Sequence, residues 1–208
     1  EICKQKLESL SQNTNIYIGK QNPKTLKIIK KILKNNKSNI IYPDKWKIIQ
    51  DNKKYYYKEN KIKIPLISNK IHSNGLIDNL GLAIKVALDF GEKKDIIVKT
   101  IPKIEFEGRL QYLRKGKIFN LLKKNEKLLL DGCHSEVSAK NLNNYLKTVK
   151  GPIYGIWGMK KNKMPERFIK IFKKRFKKLI TVSTPNDPSS INKNILKKIG
   201  IKNKLKTF

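Results

Sequence analysis

The sequence has few of the residues on which several classes of protein depend. Its two cysteines, Cys3 and Cys133, stand far apart among 208 residues and offer no disulfide framework, which favours a reducing, cytoplasmic compartment. The two histidines, His72 and His134, provide too few ligands to favour a zinc site, which needs three or four. No apolar run approaches the roughly 20 residues of a membrane-spanning helix, and no signal peptide is recognisable. We therefore expect a cytoplasmic protein without disulfide bonds or membrane spans.

Arginine is also scarce, although the formal net charge is +32. Only four of the 48 basic residues are arginines, and arginine is the residue that makes bidentate contacts to bases and phosphates. The lysines are spread along the whole chain, and isoleucine and asparagine are abundant beside them, as expected from a coding bias. This pattern disfavours specific nucleic-acid recognition. A basic α/β module that binds RNA or another polyanion stays the alternative interpretation.

Strand and helix patterns alternate in the first part of the chain. Residues 15–19 and 39–43 have the composition of short strands, and between them Asn22 and Pro23 mark the start of an amphipathic helix. This strand–helix–strand order predicts an α/β layer. A buried helix is expected over residues 78–91, because its apolar residues cover nearly the whole circumference.

Three short β-type runs between residues 46 and 67 predict an antiparallel meander. Its three consecutive tyrosines, Tyr55, Tyr56 and Tyr57, stand between lysines and would suit a platform for stacking nucleic-acid bases. Tyrosines that alternate between core and water in an edge strand are the commoner arrangement, and we favour that interpretation.

After Pro102 the chain repeats a strand followed by a helix three times. The strands are predicted at residues 127–131, 151–157 and 178–183. Such repeats indicate a parallel sheet with helices on its faces, in which ligands bind beyond the carboxyl ends of the strands. Asp131 stands at one of these ends, in the stretch LLLDGCHSEVSAKNL. Its carboxylate would accept hydrogen bonds from a ligand there; the plainer alternative is that Asp131, His134 or Ser135 merely caps the following helix.

Four short motifs follow one another in a fixed order: NLGLAI (79–84), GRLQ (108–111), DGCH (131–134) and GIWGMKKNK (155–163). Their order and α/β context resemble the rear portion of the folylpolyglutamate synthase/dihydrofolate synthase family, within the Mur ligase superfamily. The resemblance covers nearly the whole chain. It implies the end of a Mur-ligase-type central ATPase domain over residues 1–101. An incomplete, Rossmann-like and mostly parallel α/β C-terminal (glutamate ligase) domain would follow over residues 102–208.

The same resemblance implies roles for four residues, all in cofactor binding. Asn79 matches an asparagine that contacts ATP, and Arg109 matches the hinge arginine that reaches the ATP phosphates. Asp131 matches the nucleotide-contacting aspartate, and His134 matches the histidine beside it. No catalytic residue and no metal ligand of the family is carried over to this chain.

The chemistry implied by the resemblance is ATP-dependent amide ligation. ATP phosphorylates the carboxylate of a folate or of dihydropteroate, and the amine of L-glutamate attacks the resulting acyl phosphate. ATP, Mg²⁺, folate or dihydropteroate, and glutamate are the expected ligands.

The sequence also departs from the family pattern. It has no Gly-rich phosphate loop ending in Gly-Lys-Ser, and the family's Mg²⁺ ligands are expected upstream of Glu1. We therefore expect a fragment that is inactive alone and that the missing N-terminal half would complement. The Asn-Pro of the family motif is replaced by Ser135 and Glu136, and whether Lys6 occupies the position of the family's carbamylated lysine stays open.

Overall fold

The computed structural model of the chain describes residues 2–52, 54–68, 71 and 73–208. His72, one of the two histidines considered above, lies outside the described residues. Within these residues the chain divides into two compact units, unit 1 up to Ile104 and unit 2 from Glu105 to Phe208. No helix among them has the length and apolar content that crossing a membrane requires.

Unit 1 contains a parallel strand pair joined by a helix. Its regular elements here are α1 (Ile2–Glu8), β1 (Asn15–Tyr17), α2 (Pro23–Ile32), the 3₁₀ turn Leu33–Asn35, and β2 (Asn39–Ile41). Asn22 caps α2, since its side-chain oxygen accepts a 2.8 Å hydrogen bond from the Thr25 amide, and Pro23 is the first helical residue. The predicted strand–helix–strand order and cap are confirmed. Ile16 and Ile29 pack in the small core between these elements.

An antiparallel meander follows, as predicted, with strands β3 (Lys47–Asp51), β4 (Lys54–Glu59) and β5 (Ile62–Pro65). The tyrosine-rich strand β4 pairs with both of the others and is the central strand, so its expected edge position was wrong. Tyr57 is fully buried, whereas Tyr55 and Tyr56 are half-buried. Tyr57 pairs with Ile48 of β3 on one side and with Ile64 of β5 on the other, and these apolar partners on both outer strands explain why β4 is central.

Helix α3 (Asn74–Asp89) covers the meander, and α4 (Lys94–Thr100) and the 3₁₀ turn Ile101–Lys103 complete unit 1. Helix α3 begins four residues before the predicted start, because Ser73 caps it by accepting a hydrogen bond from the Leu76 amide. Residues from β4, β5, α3, α4 and the last turn share one core: Tyr57, Ile64, Leu80, Ile84, Ile97 and Ile101.

A buried polar network crosses this core. Lys85 of α3 donates to Glu59 at 2.7 Å and to Asp89 at 2.6 Å. The Tyr57 hydroxyl donates to the other oxygen of Glu59, and the Tyr17 hydroxyl donates to Asp89 at 3.0 Å. The network therefore joins α3 to strands β1 and β4 through charge-assisted hydrogen bonds.

Unit 2 begins with an antiparallel pair that the sequence analysis did not predict, β6 (Gln111–Leu113) with β7 (Leu128–Leu130). A parallel pair follows, β8 (Tyr154–Trp157) with β9 (Lys178–Thr181). The helices after the last three strands are α5, α6 and α7, which span Glu136–Leu146, Pro165–Lys170 and Lys193–Lys202. The three predicted strand–helix repeats and the α/β class are thus confirmed. The parallel sheet predicted for all three strands is found for β8 and β9, whereas β7 pairs antiparallel with β6, which the repeat pattern did not indicate.

The chain's last residues extend the parallel pair. Thr207 forms a parallel bridge with Leu179, and the Phe208 amide donates to the Leu179 carbonyl at 2.9 Å. One face of this sheet packs against the helices around an aromatic core, in which the Trp157 and Phe168 rings stack with centroids 6.2 Å apart.

Candidate functional site

The corner between β7 and α5 is organised by the carboxylate of Asp131. One carboxylate oxygen accepts a 2.8 Å hydrogen bond from the Leu110 amide, and the other accepts a 2.8 Å bond from the Cys133 amide. A third bond runs from the Gly132 amide to the Gly108 carbonyl at 2.7 Å. Asp131 therefore fastens the GRLQ segment to the DGCH corner, two motifs more than twenty residues apart in the sequence.

The GRLQ segment has an unusual backbone that needs this fastening. Gly108 and Leu110 both lie in the left-handed region, with φ values of 64° and 46°. For leucine this conformation costs about 1 kcal/mol or more. The bond to Asp131 and the burial of the Leu110 side chain, which is 5% exposed, hold it in place.

Arg109 lies between these two constrained residues and is itself exposed. One terminal guanidinium nitrogen is 3.9 Å from the position that a Cβ atom would take on Gly132. The guanidinium therefore lies directly beside the corner. A permanently charged fork at this place is suited to bind a phosphate or carboxylate.

His134 is exposed at the same corner, and its ring is oriented by the backbone. Its Nδ1 atom lies 3.0 Å from the Gly132 carbonyl oxygen. Since a carbonyl oxygen can only accept, Nδ1 carries the proton, and in the neutral ring Nε2 is the acceptor. Nε2 is then the ring nitrogen available to a ligand.

Helix α5 is capped by Ser135 and not by Asp131 or His134. The Ser135 hydroxyl accepts from the Ser138 amide at 3.2 Å, and the Ser138 hydroxyl accepts from the Ser135 amide at 3.0 Å. The plainer interpretation, a helix cap at Asp131, His134 or Ser135, is thus confirmed for Ser135, whereas Asp131 and His134 do not cap the helix. The two serines form a reciprocal capping box, with Ser135 at one of the positions where the sequence departs from the family motif.

Cys133 is half-buried behind the corner. Burial raises the pKa of its thiol well above the ordinary range, the Asp131 carboxylate raises it further, and the Arg109 charge opposes this only in part. The thiol is therefore protonated at neutral pH and is neither a nucleophile nor a ready metal ligand.

A cavity of about 120 Å³ lies behind Asp131 and Cys133, with aromatic walls that include Trp157 and Phe168. Among the described residues, the buried Trp157 indole nitrogen has no hydrogen-bond partner. Its lining includes Asp131 and Gly158, which follow the carboxyl ends of β7 and β8. In parallel α/β sheets such as that of β8 and β9, ligands bind beyond the carboxyl ends of the strands.

Asn79 belongs to unit 1, whereas Arg109, Asp131 and His134 belong to unit 2. It is exposed on α3, next to Asp78, whose carboxylate forms a 3.4 Å ion pair with Lys20. Asp78 and Lys20 border a larger cavity of about 480 Å³ at the carboxyl ends of β1 and β2. The structure thus brings Arg109, Asp131 and His134 together in unit 2, while Asn79 is exposed on α3 of unit 1, next in sequence to a residue that lines a different cavity.

The other residues considered from the sequence lie outside these cavities. Lys6 is exposed on the short helix α1. The described residues contain no group of three His, Cys, Asp or Glu side chains that could hold a metal ion. A Mg²⁺ site built from side chains would need several such oxygen ligands together, so the described residues do not fit this ion.

Two functional features of the corner were missed in the sequence. One is the left-handed conformation of Leu110, for which a leucine gives no signal. The other is the second role of Asp131 as the acceptor for the Leu110 amide. A Gly-X-Leu segment upstream of a strand-ending aspartate would have been a weak indication of both.

Comparisons with known proteins establish the fold. Neither a family model nor a curated protein sequence matches the chain. Among solved structures, folylpolyglutamate synthase from Thermotoga maritima matches the whole chain with a TM-score of 0.74 at 18% identity. The bifunctional folylpolyglutamate synthase/dihydrofolate synthase from Yersinia pestis also matches the whole chain, with a TM-score of 0.76 at 16% identity.

A third match is folylpolyglutamate synthase from Mycobacterium tuberculosis complexed with ADP and AMPPCP. It covers 93% of this chain with a TM-score of 0.70 at 14% identity. The chain spans about half the length of these proteins, between 45% and 50%. At such low identity the matches confirm the predicted fold, which is the α/β architecture of folylpolyglutamate synthases.

Proposed function

We propose that this chain is part of an ATP-dependent ligase of the folylpolyglutamate synthase/dihydrofolate synthase type, and that its Asp131 corner binds the nucleotide. The observation that carries the proposal is the fastening of Arg109 beside His134 by the Asp131 carboxylate. Residues 1–101 would be the end of the central ATP-binding domain, and residues 102–208 an incomplete C-terminal glutamate-ligase domain.

Each residue of the corner has a distinct task in this proposal. The Arg109 guanidinium pairs with phosphate oxygens and offsets their charge. The carboxylate of Asp131 keeps lone pairs beyond those used by the two backbone amides, and these accept hydrogen bonds from ribose hydroxyls. The Nε2 atom of His134 faces the nucleotide, and the nearby N-terminus of α5 favours its negative charge. Asn79, on α3, provides a further contact to ATP.

The proposed reaction joins L-glutamate to a folate or to dihydropteroate. ATP converts a carboxylate into an acyl phosphate, the glutamate amine attacks its carbonyl carbon, and phosphate leaves. The sequence contains no Gly-Lys-Ser phosphate loop, so we propose that transfer of the phosphoryl group requires another polypeptide segment. Mg²⁺ would offset the charge of the phosphates in such a ligase, and the described residues of this chain do not form a site for it. The contribution of this chain is the positioning of the nucleotide.

A pair of titrations tests the proposal. Thermal unfolding is followed with increasing ADP, and separately with dihydropteroate, for the wild-type chain and for Asp131→Ala. We expect ADP to raise the unfolding midpoint of the wild type, because a ligand that binds only the folded state stabilises it. The shift should be lost in Asp131→Ala and in Arg109→Ala. The matched control is Arg114→Ala, which removes an exposed arginine five residues away and should leave the shift intact.

The same variants decide between this proposal and a polyanion-binding module. Retention on an RNA oligonucleotide that falls steeply with salt and is unchanged in Arg109→Ala would favour the module, because lysines along the whole chain would carry that binding. If ADP gives no shift and RNA binding shows this behaviour, the ligase proposal is wrong.

A further inference from the structure

The parallel sheet of unit 2 has one face that no described residue covers. Five large apolar side chains are exposed on it, with exposed fractions between 36% and 72%, and together we call them the outer face. They are Tyr154, Ile156, Ile180, Val182 and Phe208.

The strand register shows that these side chains form one continuous surface. Ile156 pairs with Ile180 in the parallel ladder, so both project from the same side of the sheet. The residues between them, Gly155 and Leu179, project to the opposite side, where Leu179 is buried in the aromatic core. Phe208 lies in the terminal segment that runs beside β9, where its amide donates to the Leu179 carbonyl, and it extends the surface in that direction.

Parallel sheets are normally covered on both faces, and their strands are apolar on both sides for that reason. Here α5, α6 and α7 contribute to the core on the inner face only. Ile156 is 72% exposed, and an apolar side chain that stays in contact with water contributes no hydrophobic stabilisation. Scattered apolar residues need no explanation, but a contiguous group of this kind marks an interaction surface.

The charged residues that flank the outer face in the sequence are all lysines. Residues 150–156, 177–182 and 203–208 contain five lysines and no aspartate or glutamate. The Lys177 ammonium lies 5.9 Å from the Tyr154 ring centroid, and the Lys178 ammonium lies 5.0 Å from the Phe208 ring centroid. The lysines therefore border the apolar side chains directly.

We propose that the outer face is a docking site for an acidic amphipathic helix of a partner protein. A helix is the element that covers a parallel sheet, its apolar side would bury the outer face, and its carboxylates would meet the bordering lysines. A second copy of this chain is a poor occupant, because it would bring a formal charge of +32 and the same lysines to the interface.

The test uses the whole chain and a fluorescein-labelled peptide of about 18 residues, long enough to span β8, β9 and the terminal segment as a helix. The peptide has leucines along one side and glutamates elsewhere. A scrambled peptide of identical composition has no apolar side. Fluorescence anisotropy should show saturable binding of the amphipathic peptide and much weaker binding of the scrambled one.

Substitution of isoleucine by lysine separates apolar docking from simple charge attraction. Ile156→Lys and Ile180→Lys add positive charge while they remove apolar contact. Docking predicts that each weakens binding about tenfold, which corresponds to the loss of one well-buried anchor. Charge attraction alone predicts equal or tighter binding. Ile201→Lys is the matched control, since this isoleucine is 55% exposed on α7, which packs against the inner face, and it should not change binding.

A second variant keeps the test decisive if a lysine in the strand disturbs folding. Lys206→Glu leaves the apolar side chains in place and should also weaken binding, with a smaller salt dependence. Circular dichroism of each variant checks that it is folded. Equal binding of the two peptides, or binding unchanged in Ile180→Lys and Lys206→Glu, would overturn the proposal. Self-association of the peptide-free chain that Ile180→Lys abolishes would assign the surface to a second copy instead.

Discussion

Units 1 and 2 satisfy their polar side chains in opposite ways. Unit 1 places charged groups inside its core, where Lys85 lies between Glu59 and Asp89 and two tyrosine hydroxyls complete the network. Unit 2 places its polar groups at a strand end, where the Asp131 carboxylate binds backbone amides and Arg109 and His134 remain exposed. In unit 1 the polar side chains bond to one another. In unit 2 Asp131 fixes a loop, and Arg109 and His134 remain accessible to a ligand.

The electrostatics of the two units differ accordingly. Burial alone would lower the pKa of Lys85, but its hydrogen bonds to Asp89 and Glu59 outweigh burial and raise it. Burial, with the bond to Glu59, raises the pKa of Tyr57 beyond the ordinary range. The network is therefore fully formed at neutral pH and offers no group to a ligand. In unit 1 the shifted pKa values belong to side chains that stabilise the core, whereas the candidate site of unit 2 is recognised by its geometry.

The largest effect is expected from removing the central charge of the unit 1 network. Lys85→Met leaves the largely buried Glu59 carboxylate, and the more exposed Asp89 carboxylate, without a counter-charge, and we expect it to lower the free energy of unfolding by about 3 kcal/mol. Urea unfolding followed by Trp46 fluorescence, in a Trp157→Phe background, measures this in unit 1. The matched control is Lys58→Met, which removes an exposed lysine on β4 that stands opposite two other lysines, Lys47 and Lys63. A control that loses as much stability as Lys85→Met would contradict the role of the network.

A smaller loss is expected when the corner of unit 2 is loosened. Asp131→Asn keeps the shape of the side chain but offers one oxygen where two amides need an acceptor, and we expect a loss of about 2 kcal/mol. Trp157 fluorescence in a Trp46→Phe background reports on unit 2, and hydrogen exchange at the Leu110 amide reports on the broken bond. Glu107→Gln, in the same segment, is the control. Unchanged exchange at Leu110 would show that Asp131 does not fasten the GRLQ segment.

The capping box of α5 should contribute less. Ser135→Ala removes the acceptor for the Ser138 amide, and caps of this kind typically contribute about 1 kcal/mol. The same Trp157 readout measures it, and Ser135→Asp, which retains a capping acceptor, should restore most of the loss. A full loss in both variants would contradict the capping role.

The smallest effect on stability is expected at low pH, where the Asp187 carboxylate gains a proton. Hydrogen bonds from Ser189 and the neighbouring Lys160 lower the pKa of Asp187 from its ordinary value of 3.8 to about 2. A carboxyl group whose folded-state pKa is lowered contributes stability above its ordinary pKa and loses it as pH falls towards the folded value. The difference in unfolding midpoint between wild type and Asp187→Asn should therefore shrink between pH 4 and pH 2. A difference that is constant over this range would contradict the lowered pKa.

Local signals predicted much of the fold, and long-range contacts account for what they missed. The Asn22–Pro23 start of α2 is encoded in adjacent residues, and the sequence was sufficient to locate it. Strand β6 was missed because it is short and its partner β7 is distant in the sequence; the bond from the Leu110 amide to Asp131 lies immediately beside this strand pair. The roles of Asn79, Arg109, Asp131 and His134 stay predictions, because a resemblance fixes positions in a motif and not the ligand that they contact.

The most direct test of the account localises ADP on the folded chain. In ¹⁵N-labelled protein, backbone amide shifts are followed during addition of ADP up to about 10 mM, a range that detects millimolar dissociation constants. We predict saturable shifts at Arg109, Leu110 and residues 132–135, which Arg109→Ala abolishes. Shifts that spread over lysine-rich surfaces, that pyrophosphate reproduces and that moderate salt removes would contradict a nucleotide site at the Asp131 corner.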